Sequence, residues 1–376
     1  IRDSNLSMDR YRETVALINQ KWPMVELGND NYFNIESGGT PDSSNPLFWN
    51  GKVNWVTLID LPQKNFITEI TATERSISEE GLRQSSAKIL PINSILVSSR
   101  ATIGRVAINK IPVATNQGFK NIIIQDSDQA NPFFVAYMVT NLVDTMKNIA
   151  SGGTFKEISK ANISKLQIPL PPLEVQQEIV AQLDGYQKII DGAKQVVDNY
   201  KPEIKIDPSW EMVEIGGVLK DVKYTEKIQK SEFLETGKYP IIDQSEKFIA
   251  GYWNDDSAVF QAKTPIVLFG DHTRAIKYGD FDFILGADGV KILQADERFI
   301  PRFFYYALLN KEIPSLGYSR HFKELVRLKI PLPPLDIQRQ IVSRIAEEQQ
   351  LVDANRKLIE VYQGKIKEKV DEVWGG

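Results

Sequence analysis

A thirteen-residue segment that opens on Ile-Pro-Leu-Pro-Pro-Leu occurs twice in this chain, and it sets what the rest can become. Ile168-Pro169-Leu170-Pro171-Pro172-Leu173-Glu174-Val175-Gln176-Gln177-Glu178-Ile179-Val180 returns, with substitutions only beyond the proline run, as Ile330-Pro331-Leu332-Pro333-Pro334-Leu335-Asp336-Ile337-Gln338-Arg339-Gln340-Ile341-Val342, 162 positions later. The prolines demand an extended approach, because each fixes φ and removes a backbone donor. Pro172 and Pro334 are suited to the first helical position, where the missing N–H has no partner to lose. Beyond each entrance the apolar residues step by four and three, the spacing of a coiled-coil seam. They are Ile179, Leu183, Tyr186, Ile190, Ala193, Val197 and Tyr200 in the first copy, and Ile341, Ile345, Val352, Ile359, Tyr362, Ile366 and Val373 in the second. The two stripes are in phase. A single such stripe could bury against a globular core; two equivalent ones favour pairing with each other, antiparallel or parallel.

The repeat is larger than the helix. Trp22-Pro23-Met24-Val25-Glu26-Leu27-Gly28 recurs as Trp210-Glu211-Met212-Val213-Glu214-Ile215-Gly216. Weaker matches lie between. Ile95–Arg100 aligns with Ile266–Asp271, Thr115–Lys120 with Gly286–Lys291, Phe133-Phe134 with Phe303-Phe304, and Phe155-Lys156-Glu157 with Phe322-Lys323-Glu324. A unit this long is no solenoid repeat, which spans about 20–50 residues. Each unit reads as an α+β domain with short β-branched strands (Trp55–Ile59, Lys88–Val97, Arg105–Ile108, Asn121–Ile124 in the first) separated by Gly, Pro, Asn and Asp. The expected layout is an N-terminal helical segment at 1–21, with Ser7 as N-cap, and a first domain at 22–167. A proline-gated long helix at 168–205 follows, then a second domain at 206–329 and a second gated helix at 330–376. Lys201–Pro208, with two prolines, reads as the linker.

With 376 residues, 42% hydrophobic and 25% charged, the chain has the composition of a globular protein of two or three domains. No apolar run approaches the roughly 18 residues of a membrane span. The absence of cysteine excludes disulfides and thiolate metal sites and suits the cytoplasm, and two histidines make a zinc site an unpromising reading. The formal charge of −4 argues against a protein that coats nucleic acid, while leaving room for positive groups confined to loops. Because the first residue is Ile, the chain is expected to have lost its start or to be cut from something longer. No Gly-x-x-x-x-Gly-Lys-Ser/Thr loop is present. Asn131-Pro132-Phe133-Phe134 superficially resembles an amino-methyltransferase motif but lacks its second proline, and reads as a helix start. Pro41-Asp42 has no Glu/Asp-x-Lys after it and reads as a turn. His272 and His321 read as surface polar groups. No catalytic site, resident cofactor or metal is expected.

The loops carry the residue types that contact DNA: Arg and Lys for phosphates, Asn, Gln, Ser and Thr for base edges. In the first unit they are Ser98, Ser99, Arg100, Thr102 and Arg105 around one turn, Asn116, Gln117 and Lys120 at the next, then Thr154 and Lys156 after Gly152-Gly153. The second unit has His272, Thr273 and Arg274, then Lys291, then Ser319, Arg320, His321 and Lys323. Each group alone could be a solvated turn; recurrence at matching positions is what makes the case.

From Trp22 to the C-terminus the chain resembles the specificity (S) subunit of type I restriction–modification enzymes. The two Ile-Pro-Leu-Pro-Pro-Leu-x-x-Gln entrances, the Trp-x-Met-Val-Glu-Leu-Gly opening, Gly38-Gly39-Thr40-Pro41 and Ser99-Arg100-Ala101-Thr102-Ile103-Gly104 carry that resemblance. It adds Thr40 to the DNA-contacting set. It implies two target recognition domains, each reading half of a split DNA site, and two helices packed as an antiparallel coiled coil that sets the spacer. It also implies docking of adenine-N6 methyltransferase subunits, two of them, on the helices' outer faces, and of restriction subunits through the complex. S-adenosylmethionine would bind the partner. At about 1.5 Å per residue the segment 173–200 is roughly 42 Å long, more than the roughly 34–36 Å of one DNA turn. The second unit departs from the pattern at Phe269-Gly270-Asp271-His272. Asn5-Leu6-Ser7-x-x-Arg10-Tyr11 resembles the tail of the methyltransferase region in methylation–specificity fusions, a resemblance that would make this chain the specificity portion of one; the alternative is a free S subunit with an N-terminal helix of its own. Two rivals remain: a self-contained DNA methyltransferase or nuclease, and a coiled-coil scaffold with two protein-binding heads. Metal-dependent cleavage or cofactor binding by the chain alone would favour the first; absence of salt-dependent DNA affinity would favour the second.

Overall fold

The opening of each repeat is zipped to its proline entrance. In the computed structural model, which describes residues 21–61, 67–151, 156–286, 289–315, 317 and 319–375, Met24–Glu26 pairs antiparallel with Gln167–Pro169. Glu211–Glu214 pairs in the same way with Lys329–Leu332. Proline is tolerated there because each pairing is a two-stranded ribbon, with free edges for its missing donor. The bond Gly28 N–H to Ser164 O (2.9 Å) and its counterpart Gly216 N–H to Val326 O (2.8 Å) extend the contact. Gly28 has no room for a side chain: a Cβ there would lie 2.6 Å from Ser164 Cβ. The Ser7 cap and the helix expected near Tyr11–Ile18 lie outside the described residues.

The chain divides into two units, residues 1–193 with 358–376, and residues 194–357. In the first, a five-stranded sheet runs in the order Phe33–Ser37, Phe119–Ile124, Ile95–Ser98, Val106–Asn109, Thr68–Ile70. Arg75–Ile77, Trp49–Val56 and Ala114–Thr115, in that order, form a separate three-stranded sheet. The central strand Ile95–Ser98 is buried along its length, as its unbroken apolar run requires. Helix Pro132–Asn141 covers the sheet through Phe134, Val135 and Met138, all within the main core. Asn131 starts that helix by accepting from the N–H groups of Phe133 (2.9 Å) and Phe134 (3.2 Å). The expected turn at Pro41-Asp42 is also present, Asp42 accepting from Ser44 N–H at 2.9 Å. In the second unit Ile276–Gly279, Ile266–Gly270 and Val290–Leu293 form a sheet; Lys227–Ile228, Phe283–Gly286, Tyr239–Ile242 and Gly251–Trp253 form another, on which Val259–Phe260 also pairs. Helix Pro301–Leu309 packs Phe303, Phe304 and Leu308 into its core.

The long helices span Leu173–Asn199 and Leu335–Val373. Pro172 and Pro334 sit one position earlier than expected. Their carbonyls accept from Gln176 N–H (3.1 Å) and Gln338 N–H (3.0 Å), which makes them N-caps. Within the first unit Val175 and Ile179 lie with Lys369 and Val373 around a shared depression, while the rings of Tyr186 and Tyr362 meet at 5.4 Å. Residue number falls on one helix as it rises on the other, so the pairing is antiparallel. Leu183, Ile190, Ile366 and Val373 are buried, as the heptads require. Within the second unit Tyr200 donates to Glu348 at 3.1 Å, and Ile345 is buried. Lys201–Pro208 is not a free linker. Ile204 is buried, its N–H donates to Asn310 Oδ1 (3.1 Å), and Asn310 Nδ2 donates to Pro202 O (2.8 Å).

One side chain locks each junction. Gln176, fully buried, donates through Nε2 to Gln129 O (2.8 Å) and Pro171 O (2.7 Å) and accepts from Asn131 N–H (2.8 Å). Gln338 repeats all three bonds, to Arg298 O (2.8 Å), Pro333 O (2.9 Å) and from Ile300 N–H (2.8 Å). This is the glutamine of the repeated motif. Truncating it strands two carbonyls and an N–H away from water. Gln176→Ala is expected to lower the unfolding free energy of the first unit by about 2–4 kcal/mol, and Gln338→Ala that of the second. Urea denaturation followed by hydrogen exchange in each unit checks this; a loss below about 0.5 kcal/mol would show that the clamp is dispensable.

Candidate nucleic-acid interface

In the first unit three loops emerge at one end of the five-stranded sheet. Ser37 faces Lys120 and Ser98 faces Phe119 in the antiparallel registers. The segments that follow Ser37 and Ser98 and the one that precedes Phe119 therefore meet. Gly39 N–H donates to Thr115 O (2.8 Å), Ser99 N–H to Gly118 O (2.8 Å), and Gly118 N–H to Asn116 Oδ1 (2.8 Å). The Thr40 hydroxyl donates to Gln117. A fourth segment joins through Ile158 N–H, which donates to Ser99 O (2.9 Å). Gly104 adopts φ +91°, the left-handed conformation that closes the turn after Ser98.

The candidate residues separate into anchors and presented groups. Ser98 is fully buried: its hydroxyl accepts from Arg105 N–H (2.8 Å) and donates to Thr102 O, holding the turn from inside. Ser99 is fully buried as well. Lys120 is buried and pairs with Glu157 at 3.0 Å. Arg105 turns inward and donates to Leu58 O (3.3 Å) and Leu61 O (2.9 Å). These four hold loops together rather than face a ligand. For Ser98, Ser99 and Lys120, burial without a partner would be costly, and their partners are internal. Thr40, Thr102, Gln117 and Lys156 are exposed, and Arg100 and Asn116 are half-buried at the same rim. Thr154 lies outside the described residues.

The second unit rebuilds the loop end with other residues. Asp271 is buried and takes the place of Ser99. Its N–H donates to Gly289 O (2.7 Å), and its carbonyl accepts from His321 N–H (2.8 Å). Its carboxylate accepts from Phe322 N–H at 2.7 Å, and His321 Nδ1 lies 3.0 Å from the Asp271 carbonyl. His321 is therefore a buried anchor, against the expectation of a surface group. Arg274, at φ +64°, stands where Gly104 stands in the first unit, and its guanidinium donates to Ile313 O (2.9 Å). Thr273, Arg320 and Lys323 are exposed; His272, Ser319 and Lys291 are half-buried, the last with its ammonium 5.4 Å from the Phe322 ring. Gln244 was missed. Its side-chain oxygen accepts from His272 N–H (3.2 Å) and its carbonyl from the Thr273 hydroxyl, so it floors the loop. The only sequence signal was its place just after the apolar strand Tyr239–Ile242.

Two matches seen in the sequence are not structural equivalents. Glu157 bridges to Arg100 and Ser151, whereas Phe322–Leu325 is helical. The residue that matches His321 as helix N-cap is Ser159. The glutamine clamps align Asn131 with Ile300, so Phe134 corresponds to Phe303 and Phe133 to Arg302. Among the described residues no group of acidic or histidine side chains is arranged to hold a metal, and no helix is long and apolar enough to cross a membrane.

The anchors and the rim make different demands. Ser98→Ala is expected to cost the first unit about 1–2 kcal/mol, since it orphans Arg105 N–H, while Thr102→Ala and Gln117→Ala stay within about 0.5 kcal/mol. Urea denaturation of the three variants reads this, and a Gln117→Ala loss equal to that of Ser98→Ala would overturn the division.

Comparison with known proteins agrees with this architecture. The profile of the family described as "Type I restriction modification DNA specificity domain" matches residues 19–198 and again 208–361. The specificity subunit of the type I restriction enzyme MjaIX from Methanocaldococcus jannaschii is 24% identical over 407 residues, covering 93% of this chain and 92% of that one. The HindI specificity subunit of Haemophilus influenzae is 31% identical over 155 residues, which is 41% of this chain and 33% of that protein. Among solved structures, a chain of a type I R-M system superposes with a TM-score of 0.59 at 17% identity, covering 94% of this chain and 97% of that one. The S subunit from M. genitalium superposes with a TM-score of 0.51 at 16% identity, with 94% and 96% covered. With both repeats matched and the fold shared, the chain belongs to the family of type I restriction–modification DNA specificity proteins.

Proposed function

We propose that this chain is the DNA-recognition subunit of a type I restriction–modification complex, each unit reading one half of a bipartite site. The observation that carries the reading is the recurrence of one loop end in both units. In each, buried anchors (Ser98, Ser99 and Lys120; Asp271 and His321) hold polar side chains at the rim. In the first unit Thr40, Arg100, Thr102, Asn116 and Gln117 are assigned to base edges and Lys156 to phosphate. In the second, His272, Thr273 and Ser319 are assigned to base edges and Lys291, Arg320 and Lys323 to phosphates. That division follows the ordinary chemistry of DNA readout.

The paired helices set the spacer between half-sites and dock the modification subunits, two copies of an adenine-N6 methyltransferase that binds S-adenosylmethionine and flips the target base. Restriction subunits join through the same complex, and the chain itself carries out no chemistry. A complex that modifies chromosomal DNA works in the cytoplasm of its host. Support for docking comes from the helices' outward faces. Ile189 and Val196 on the first helix, and Leu351 and Leu358 at the same positions of the second, are exposed. Gly185 and Gly192 lie on the face of Ile189, and a Cβ at either would meet nothing within 4 Å. Apolar residues repeated at heptad spacing outside the seam suit two copies of one partner helix.

Co-expression with the methyltransferase, followed by single-molecule mapping of modified adenines in the host genome, tests the reading. The expected result is a split motif, two short halves around a fixed gap; replacing residues 22–167 by another such domain changes one half alone. Lys156→Ala and Lys323→Ala are each expected to reduce the slope of log affinity against log salt by about 0.9 without changing the motif. Arg100→Ala is expected to relax one base position by about 1–3 kcal/mol. Modification without a motif, or independent of this chain, would sink the proposal.

A further inference from the structure

In the first unit a cavity of about 430 Å³ opens between Thr68–Ile70, helix Pro132–Asn141 and the first long helix. Its walls include Glu69, Phe133, Tyr137, Asp184, Lys188 and Asp191. Tyr137 is only 3% exposed, lines the cavity, and among the described residues its hydroxyl has no hydrogen-bond partner. Burial holds the Asp184 carboxyl above its ordinary range, and Glu69 adds to this, while Lys188 and Lys110 pull the other way. Burial likewise raises the Tyr137 hydroxyl, helped by Asp184, Asp191 and Glu69. Three carboxylates and a phenol that makes no hydrogen bond within the described residues thus face a space whose lining contains one lysine. Lys110, outside the lining, rests 4.8 Å from the Phe133 ring centroid.

The second unit holds the counterpart, a cavity of about 460 Å³ with Tyr306, Arg302, Ala346, Gln349, Gln350 and Asp353 in the places of Tyr137, Phe133, Asp184, Gln187, Lys188 and Asp191. Each copy keeps the glutamine-to-aspartate bond, Gln187 to Asp191 at 2.8 Å and Gln349 to Asp353 at 3.2 Å. The second copy carries its own cations. Arg356 pairs with Asp353 at 2.5 Å, and Arg302 stacks 3.9 Å from the Tyr278 ring centroid. Where Arg302 stands, the first copy has Phe133; where Ala346 stands, it has Asp184. The cavity is thus cation-bearing in one unit and acid-lined in the other.

We propose that the first-unit cavity receives the guanidinium of an arginine presented by the partner protein that docks on the long helices, an inference that rests on the docking reading above. Guanidinium is the cation for this space. It is planar, so it lies flat against Phe133 and Tyr137; it sheds water more readily than an ammonium; and its fork of donors serves a carboxylate and the Tyr137 oxygen together. Its charge offsets the repulsion between Asp184 and Glu69 that the free chain bears.

The test measures binding of the full chain to its methyltransferase subunit by sedimentation or calorimetry, with thermal unfolding of the free chain alongside. Removing the charges while keeping shape, Glu69→Gln with Asp184→Asn, is expected to weaken binding at least tenfold and to flatten its salt dependence. Because the Asp184 pKa is raised in the folded chain, its ionisation opposes folding above the ordinary carboxylate pKa, so the same variant unfolds at an equal or higher temperature. A structural role would instead lower both binding and unfolding temperature, and that outcome overturns the inference. Ile189→Asp separates the two readings. If it abolishes binding while the Glu69/Asp184 variant binds as wild type, the cavity inference falls and docking stands. If neither variant weakens binding, both fall.

Discussion

The fold hangs on a buried primary amide used twice. A glutamine side chain offers two donors and an acceptor in one plane. At Gln176 and Gln338 all three directions are taken by main-chain groups from two segments, the residues before a short helix and the end of the proline entrance. Prolines cannot satisfy their neighbours' carbonyls, so a chain that approaches a helix through Pro-Leu-Pro-Pro leaves acceptors open. The glutamine closes them at the fourth position of the helix. Its burial is tolerable only because every polar atom is matched. The opening strand, pinned to Gln167–Pro169 or Lys329–Leu332, then fixes where each domain begins relative to the helix it feeds.

From that frame the loops inherit a division of labour. Ser98, Ser99, Lys120 and Arg105 look like DNA-contacting residues in a list of residue types, yet they hold the loop end together. Their work leaves the neighbours Thr102, Gln117 and Thr40 exposed at the rim, outside the buried framework. In the second unit the anchor becomes Asp271, whose carboxylate caps Phe322 N–H. A shared framework with exchangeable rim residues is what a reader of variable half-sites needs, and it explains why loop sequences diverged while the strand-to-entrance pairing and the glutamine clamps did not. The same logic extends to the paired cavities beside the long helices. Tyr137 and Tyr306 keep their places while charges around them are gained at one position and lost at others.

Much was legible beforehand because it rests on local periodicity. Seam residues Leu183, Ile190, Ile345, Val352, Ile366 and Val373 are buried as their spacing demanded. The Asn131-Pro132 helix start and the Asp42 turn needed only side chain-to-backbone bonds two or three residues long. Errors arose where the deciding partner is distant. Lys201–Pro208 reads as a linker until Asn310, over a hundred residues away, binds its backbone. His321 reads as a surface group until the Asp271 carbonyl meets it. Phe155-Lys156-Glu157 matches Phe322-Lys323-Glu324 by identity, but the strand partners of Glu157 have no counterpart in the second helix turn.

What the sequence alone determined is the duplication: two proline gates, two in-phase heptad stripes and two domains whose strands end in polar loops. Periodicity and proline stereochemistry act over a few residues, so they survive translation from letters to structure. The tertiary structure decided which polar residues face outward, the antiparallel sense of the helices, the one-residue offsets between the copies, and the cavity under Tyr137. These depend on strand register and on hydrogen bonds between segments far apart in the chain. A side chain's burial is set by what packs across from it, and no local pattern specifies that.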